Sequence, residues 1–182
     1  MRYQDGYKDQ KRRELLKSAG EAAKAKGFAA TGVDALAEAA GVTSGALYAH
    51  FGSKAGLFEA LIANEMERSR ARWARRPDQP GDAWMKEELA RYLSRAHVET
   101  PEKGCLMPAL AADIARAPIS ARQVFEDQLR QAQMEIAARL GDPEEAWQFL
   151  ARIVGAMVLA RAVVSDTVQD DILKANRTSL AQ

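Results

Sequence analysis

Five polar side chains stand close together in one short run: Thr43, Ser44, Tyr48, His50 and Lys54. Hydroxyl, imidazole and ammonium groups of this kind bond to phosphate oxygens and to the edges of bases. Gly45 allows close backbone approach, and the Ala46 methyl suits contact with a thymine methyl. Thr31, upstream, is a further candidate contact. None of Thr43, Ser44, Ala46 and His50 is the Arg, Lys, Asn or Gln that makes bidentate base contacts, so discrimination at each position is expected to be modest. Tyr48 and Lys54 are assigned to phosphates, Lys54 because it falls at a predicted helix N-terminus. Other chemistry is thinly represented. The two histidines, His50 and His97, are far apart, and there is no His-Glu-x-x-His, Gly-x-Ser-x-Gly or phosphate-cradling glycine loop. No catalytic residue, metal ligand or cofactor is therefore assigned. Cys105 is the one cysteine, which excludes an intramolecular disulfide.

Two short helices must position the polar run. Val33, Leu36, Ala37 and Ala40 recur at the i, i+3, i+4, i+7 spacing of one buried face, and Leu47 with Phe51 forms a second stripe. Thr31 with Asp34 reads as a capping box, Gly41 as a left-handed stop, and Thr43 as the next N-cap. Ala37, Gly41 and Leu47 supply the small contact, the turn glycine and the branched anchor of two steeply crossing helices. An ordinary helical hairpin explains the alanine and the glycine. It does not explain the polar face of the second helix, which a helix-turn-helix reading Thr43 to His50 into the major groove does.

From Gly27 to Leu57 the chain resembles the N-terminal domain of the TetR family of bacterial transcriptional regulators. The matching pieces are Gly27-Phe28, Thr31, Leu36-Ala37, Ala40-Gly41-Val42, Gly45, Leu47-Tyr48, Phe51, Ser53-Lys54 and Leu57. Ser44, Ala23 and Gly56 depart from the family's usual Lys, aromatic and acid, and Gly56 is expected to weaken the start of the next helix. The resemblance implies double-stranded operator DNA as partner, a homodimer, an unidentified small-molecule effector in a C-terminal pocket, and a repressor that the effector releases. It also implies that the last two helices of each subunit form the dimer interface.

Composition agrees with one DNA-facing end. Net charge is only +1 over 182 residues, too balanced for a non-specific DNA coat. Yet Met1 to Ala30 holds Arg2, Lys8, Lys11, Arg12, Arg13, Lys17, Lys24 and Lys26 against Asp5, Asp9, Glu14 and Glu21. The apolar share, 47%, supports a real core. No leader-like segment opens the chain, and the apolar run near Ile153 to Val164 is interrupted by Arg161, so a cytoplasmic protein with no membrane span is expected.

The periodicity predicts an all-α fold of about nine helices: a helix-turn-helix domain over residues 1–53 and a ligand-binding and dimerisation domain over 54–182. Met1 to Tyr7 reads as a loose arm and Arg13 to Lys26 as the first helix. Ser53 opens a long fourth helix that ends at Arg75-Arg76-Pro77. Asp82 caps a helix to about Val98, and Pro108 kinks a short apolar one. Pro118 starts a helix ended by Gly141, Asp142-Pro143 starts another to Val164, and Asp170 to Ser179 closes the chain. The helix from Glu144 is apolar nearly all round, so Leu150, Val154, Gly155 and Val158 are assigned to the dimer interface. Met66, Trp84, Met107, Phe125 and Leu129, of types that can line adaptable sites, are assigned to the effector pocket that the resemblance implies. The alternative is a thiol-based sensor of oxidants or electrophiles through Cys105, which follows Lys103 at a helix start. A helical enzyme has the least support.

Overall fold

The structure, a computed structural model, describes residues 3–74 and 78–178. Ten α-helices occupy them: α1 Tyr3–Lys26, α2 Val33–Ala39, α3 Ser44–Phe51, α4 Lys54–Trp73, α5 Gly81–Tyr92, α6 Arg95–Glu99, α7 Leu106–Ala115, α8 Ile119–Leu140, α9 Pro143–Ala162 and α10 Asp166–Arg177. A 3-10 turn, Pro101–Lys103, joins α6 to α7, and no strand is present among the described residues. The all-α expectation holds.

Local chemistry sets most boundaries. Thr43 accepts from the Ala46 N–H at 3.3 Å and Ser53 from the Gly56 N–H at 2.9 Å, so both cap as expected. Asp142 accepts from the Glu144 N–H at 2.7 Å, with Pro143 in the first turn. Gly41 ends α2 with a φ of +67°. Gly56 proves necessary to the start of α4 rather than damaging to it. A Cβ there would lie 2.2 Å from the Phe51 carbonyl oxygen, so a larger residue would push α3 and α4 apart.

Four expectations need correction. The first helix begins at Tyr3, well before Arg13. Its early turns are polar and held by side-chain pairs such as Gln10 to Glu14 at 3.2 Å, which leave no apolar stripe to read. The capping box does not form: α2 has Gly32 as its N-cap with no side-chain bond, and the Thr31 hydroxyl turns back to the Gly27 carbonyl at 2.6 Å. The helix expected from Asp82 to Val98 is two helices, because Leu93 leaves the helical region and Ser94 caps α6 through the His97 N–H at 3.3 Å. Pro108 falls in the first turn of α7, where N–H groups lack intrahelical acceptors, so it removes no bond of the ladder. Met1, Arg2, the Arg75-Arg76-Pro77 break and Ser179 lie outside the described residues.

One apolar core runs from Leu15 on α1 to Leu173 on α10. The first three helices pack on one another and on α4, which continues alongside α8; α8 in turn lies against α9, and α9 against α10. Phe28 stacks on Phe58 of α4, ring centroids 4.0 Å apart, so the joint between the first three helices and the rest is aromatic. The buried face of α4 is Leu57, Phe58, Leu61, Ile62, Glu65, Met66 and Trp73, with Glu65 the one charge in it.

Candidate functional site

Leu47 and Phe51 are buried on the side of α3 that packs on α2 and α4, with Arg12 of α1 over the Phe51 ring, which fixes the helix by one side only. The opposite side stays in solvent. Tyr48 is 46% exposed, Thr43 and Gly45 are exposed, and Ala46 and His50 are half-buried. Lys54 begins α4, its ammonium 5.2 Å from the centre of the Phe28 ring. The structure thus brings Thr43, Gly45, Ala46, Tyr48 and His50 onto one short helix and its cap, with Lys54 at the next helix start. Ser44 is also there, but its hydroxyl is donated to the Asp34 carboxylate of α2, which links the two helices of the motif. Thr31 is not available: it is 5% exposed and its hydroxyl is committed to Gly27. Its part is to hold the turn before α2, and its buried hydroxyl is not placed to contact DNA.

A second concave site lies in the C-terminal part, where the break between α5 and α6 faces α4 and the 3-10 turn. This cavity, about 220 Å³, is walled by Ser69, Arg72 and Trp73 of α4, Arg91 and Tyr92 of α5, His97 of α6, and residues 103–105. Met66, Trp84, Met107, Phe125 and Leu129 do not line it. The first three are core residues at 0–2% exposure, and Phe125 and Leu129 pack on the core from α8. Helical spacing could mark those five as apolar but could not show that Ser94 breaks a helix and opens a space elsewhere. Cys105 does reach the cavity. It is 5% exposed, its backbone N–H donates to His97 Nε2 at 3.1 Å, and the Ser69 hydroxyl lies 3.7 Å from its sulfur.

His97 is fixed at both ring nitrogens, since Nδ1 meets the Tyr92 carbonyl at 2.7 Å. Burial, with Arg161, Arg91 and Arg72 nearby, lowers its pKa from 6.5 to about 4, against the opposing pull of the Tyr92 carbonyl. Between those values the unfolded chain holds a proton that the folded chain does not, so acid favours unfolding. Stability present at pH 7 is lost as pH falls from about 6.5 towards 4, and on the order of 1–2 kcal/mol of it should be gone by pH 5. Urea unfolding at the two pH values checks this: His97→Gln should show a smaller difference than the wild type, and an equal difference would remove His97 from the acid response.

Residues 15–61, which carry this helix-turn-helix, match the family profile described as bacterial regulatory proteins, tetR family. Over those residues the chain carries a TetR-type N-terminal domain. Several solved structures share the fold at low identity. NemR of E. coli in its reduced form is 19% identical, over 92% of this chain and 95% of that one, with a TM-score of 0.74. A TetR-family transcriptional regulator from Cytophaga hutchinsonii is 15% identical over 94% and 93%, with a TM-score of 0.78. One from Agrobacterium tumefaciens is 17% identical over 93% and 97%, at 0.76. The likeness therefore extends well beyond the TetR-type domain to the whole described fold.

Three polar bonds tie the TetR-type domain to the remainder. Lys24 of α1 is 5% exposed and donates to Glu65 Oε2 of α4 at 2.6 Å and to the Gly104 carbonyl at 2.9 Å. Arg68 reaches the other Glu65 oxygen at 2.7 Å. The Phe28 N–H donates to Asp113 of α7 at 2.8 Å. Lys24 is thus not part of the basic surface that the sequence assigned to the first helix; it is an internal cation joining α1, α4 and a wall of the cavity. Among the described residues no helix is long and apolar enough to cross a membrane, and no group of three metal-ligating side chains occurs.

Proposed function

We propose that this protein is a dimeric DNA-binding transcriptional repressor, released from its operator by a small molecule held in its C-terminal part. The observation that carries the reading is the single-sided burial of α3: Leu47 and Phe51 anchor it, and Tyr48, Gly45 and Thr43 face outwards with Lys54 beside them. Two such helices about 34 to 36 Å apart would enter successive major grooves, which requires a second copy. The outer face of α9 supports that copy. Trp147, Ala151, Gly155 and Val158 follow one another at helical spacing, with Leu159 beside them; Trp147 and Val158 are 44% and 43% exposed. Val154 is half-buried at the edge of this stripe. Leu150 is not in it, being 3% exposed and turned into the protomer's own core, so the assignment of Leu150 to the interface is corrected. An effector acts only through unequal affinity for the DNA-competent and DNA-incompetent forms. The link from the cavity wall through Lys24 to α1, with α4 alongside, supplies an element both sites can bias. The burial of Cys105 favours this reading over a thiol sensor, whose sulfur must be accessible to react.

The test is selection of a binding site from random duplex DNA, followed by affinity against salt. Lys54→Ala should weaken binding to all duplexes alike and reduce the slope of log K against log salt by about one charge. Ser44→Lys combined with His50→Ala should change the selected site. If the wild type selects no site, the regulator reading fails; if the Lys54→Ala slope is unchanged, Lys54 leaves the list of phosphate contacts.

A further inference from the structure

The cavity beside Cys105 is asymmetric in its chemistry. Its walls carry three cations, Arg72, Arg91 and Lys103, and no carboxylate among the described residues that line it. Arg91 is partly offset by its ion pair with Glu88 outside the wall, Arg72 is engaged with a neighbour of its own, and Glu102 lies near Arg161, so Lys103 is the exposed cation of the wall. Among the described residues the buried polar atoms without a partner are Gln79 Oε1, which does not line this cavity, and donors of Tyr92 and Arg161. The Tyr92 hydroxyl is fully buried and no acceptor meets it in hydrogen-bond geometry; burial first, and then the neighbouring Cys105 sulfur, push its pKa well above the usual value. Behind the Gly104 wall, Arg161 gives Nη2 to the His97 carbonyl at 2.7 Å, while its Nε and Nη1 are buried without partners. His97, already bonded at both nitrogens, positions the wall and has nothing left to offer a ligand. Gly104 admits no side chain, because a Cβ would lie 2.4 Å from His97 Nε2, so that wall is fitted to the imidazole. Trp73, Ala96 and the Tyr92 ring supply an apolar flank.

Unmet buried donors under a positive potential need an acceptor bearing negative charge, and the apolar flank needs a hydrocarbon body. We propose that the cavity binds a small monocarboxylate, its oxygens accepting from the Tyr92 hydroxyl and facing Arg91 and Lys103 of the wall, its body against Trp73 and Ala96. This rests on the effector-released regulator reading and gives that effector its chemical class. Occupancy presses on residues 103–105, and the Gly104 carbonyl there is bonded directly to Lys24 of α1. The ligand would therefore act on the first helix of the DNA-binding unit as well as on α4.

The test titrates the intact protein with acetate, butyrate, hexanoate and benzoate, with hexanamide and benzamide as neutral counterparts and inorganic phosphate as the bare anion. Calorimetry and thermal shift read binding, and anisotropy of a duplex selected by the protein itself reads DNA release. Hexanoate or benzoate should bind, the matching amide and phosphate about tenfold more weakly or not at all, and Tyr92→Phe and Arg91→Gln should each weaken the acid about tenfold with the fold retained by circular dichroism. No binding by any acid at millimolar concentration overturns the proposal. So does an amide that binds as well as its acid, or unchanged affinity in both variants. Binding that leaves the DNA complex intact upholds the site and overturns instead the effector-release reading.

Discussion

Lys24→Met should destabilise the protein by about 3 kcal/mol, because it strands the Glu65 carboxylate at 4% exposure with Arg68 as its remaining cationic partner. The value sits at the lower end for a broken buried pair, since Arg68 is half in solvent and still reaches one oxygen. Glu65→Met placed on top of Lys24→Met should recover most of the loss, as an apolar pair fills the same space with no charge to desolvate. Urea unfolding of the two single variants and the double variant closes the cycle. Additive losses would mean that the pair contributes nothing as a pair. Because Lys24 also holds the Gly104 carbonyl, the double variant should stay folded while responding less in DNA binding to any molecule that occupies the cavity.

The largest functional loss is expected from a charge on the outer face of α9. Gly155→Glu is the cleaner choice, since nothing in the protomer lies within 4 Å of a Cβ built there and the single copy has room for the new side chain. In a dimer closed over this face, the carboxylate would be buried without a partner, at a cost of several kcal/mol. The variant should sediment as a monomer and lose operator affinity by about 100-fold or more, since each half-site then binds alone. Val158→Glu should behave alike. Leu150→Ala should not: it opens a cavity in the protomer's own core and should lower stability by about 2–5 kcal/mol before it affects assembly. A folded Gly155→Glu protein that sediments as a dimer would place the interface on another face.

What the sequence disclosed follows the range of the interactions. Thr43, Ser53, Gly41, Gly141 and Asp142-Pro143 act within a turn of their own position, and each does in the structure what its type and spacing imply. The apolar stripes of α2, α3 and α4 were legible because one face of each is buried. The first turns of α1 were not, because a solvated helix carries no stripe. Thr31 was misassigned because a hydroxyl can cap forwards or bond backwards, and only the packed turn decides. Ser94 is of a capping type, but a lone serine does not fix a helix start, and only the folded turn shows it accepting from the His97 N–H. Lys24 and Glu65 are 41 residues apart, and the cavity joins α4, α5, α6 and residues 103–105; nothing in local spacing reports such meetings.

The bond between Lys24 and the Gly104 carbonyl bears on modularity. A cut at residue 53 divides the chain by task but not by construction. Leu57, Phe58 and Leu61, which complete the core around Phe28 and Leu47, lie beyond it, as do Glu65, Gly104 and Asp113. A DNA-reading head grafted from this chain onto a foreign body at that point would bring along an interior ammonium and the Phe28 amide with no acceptor for either. Hybrid regulators built from this protein must therefore transplant α4 and the acceptors on the 3-10 turn and α7 together with the head, so the heritable unit of exchange is larger than the unit that touches DNA.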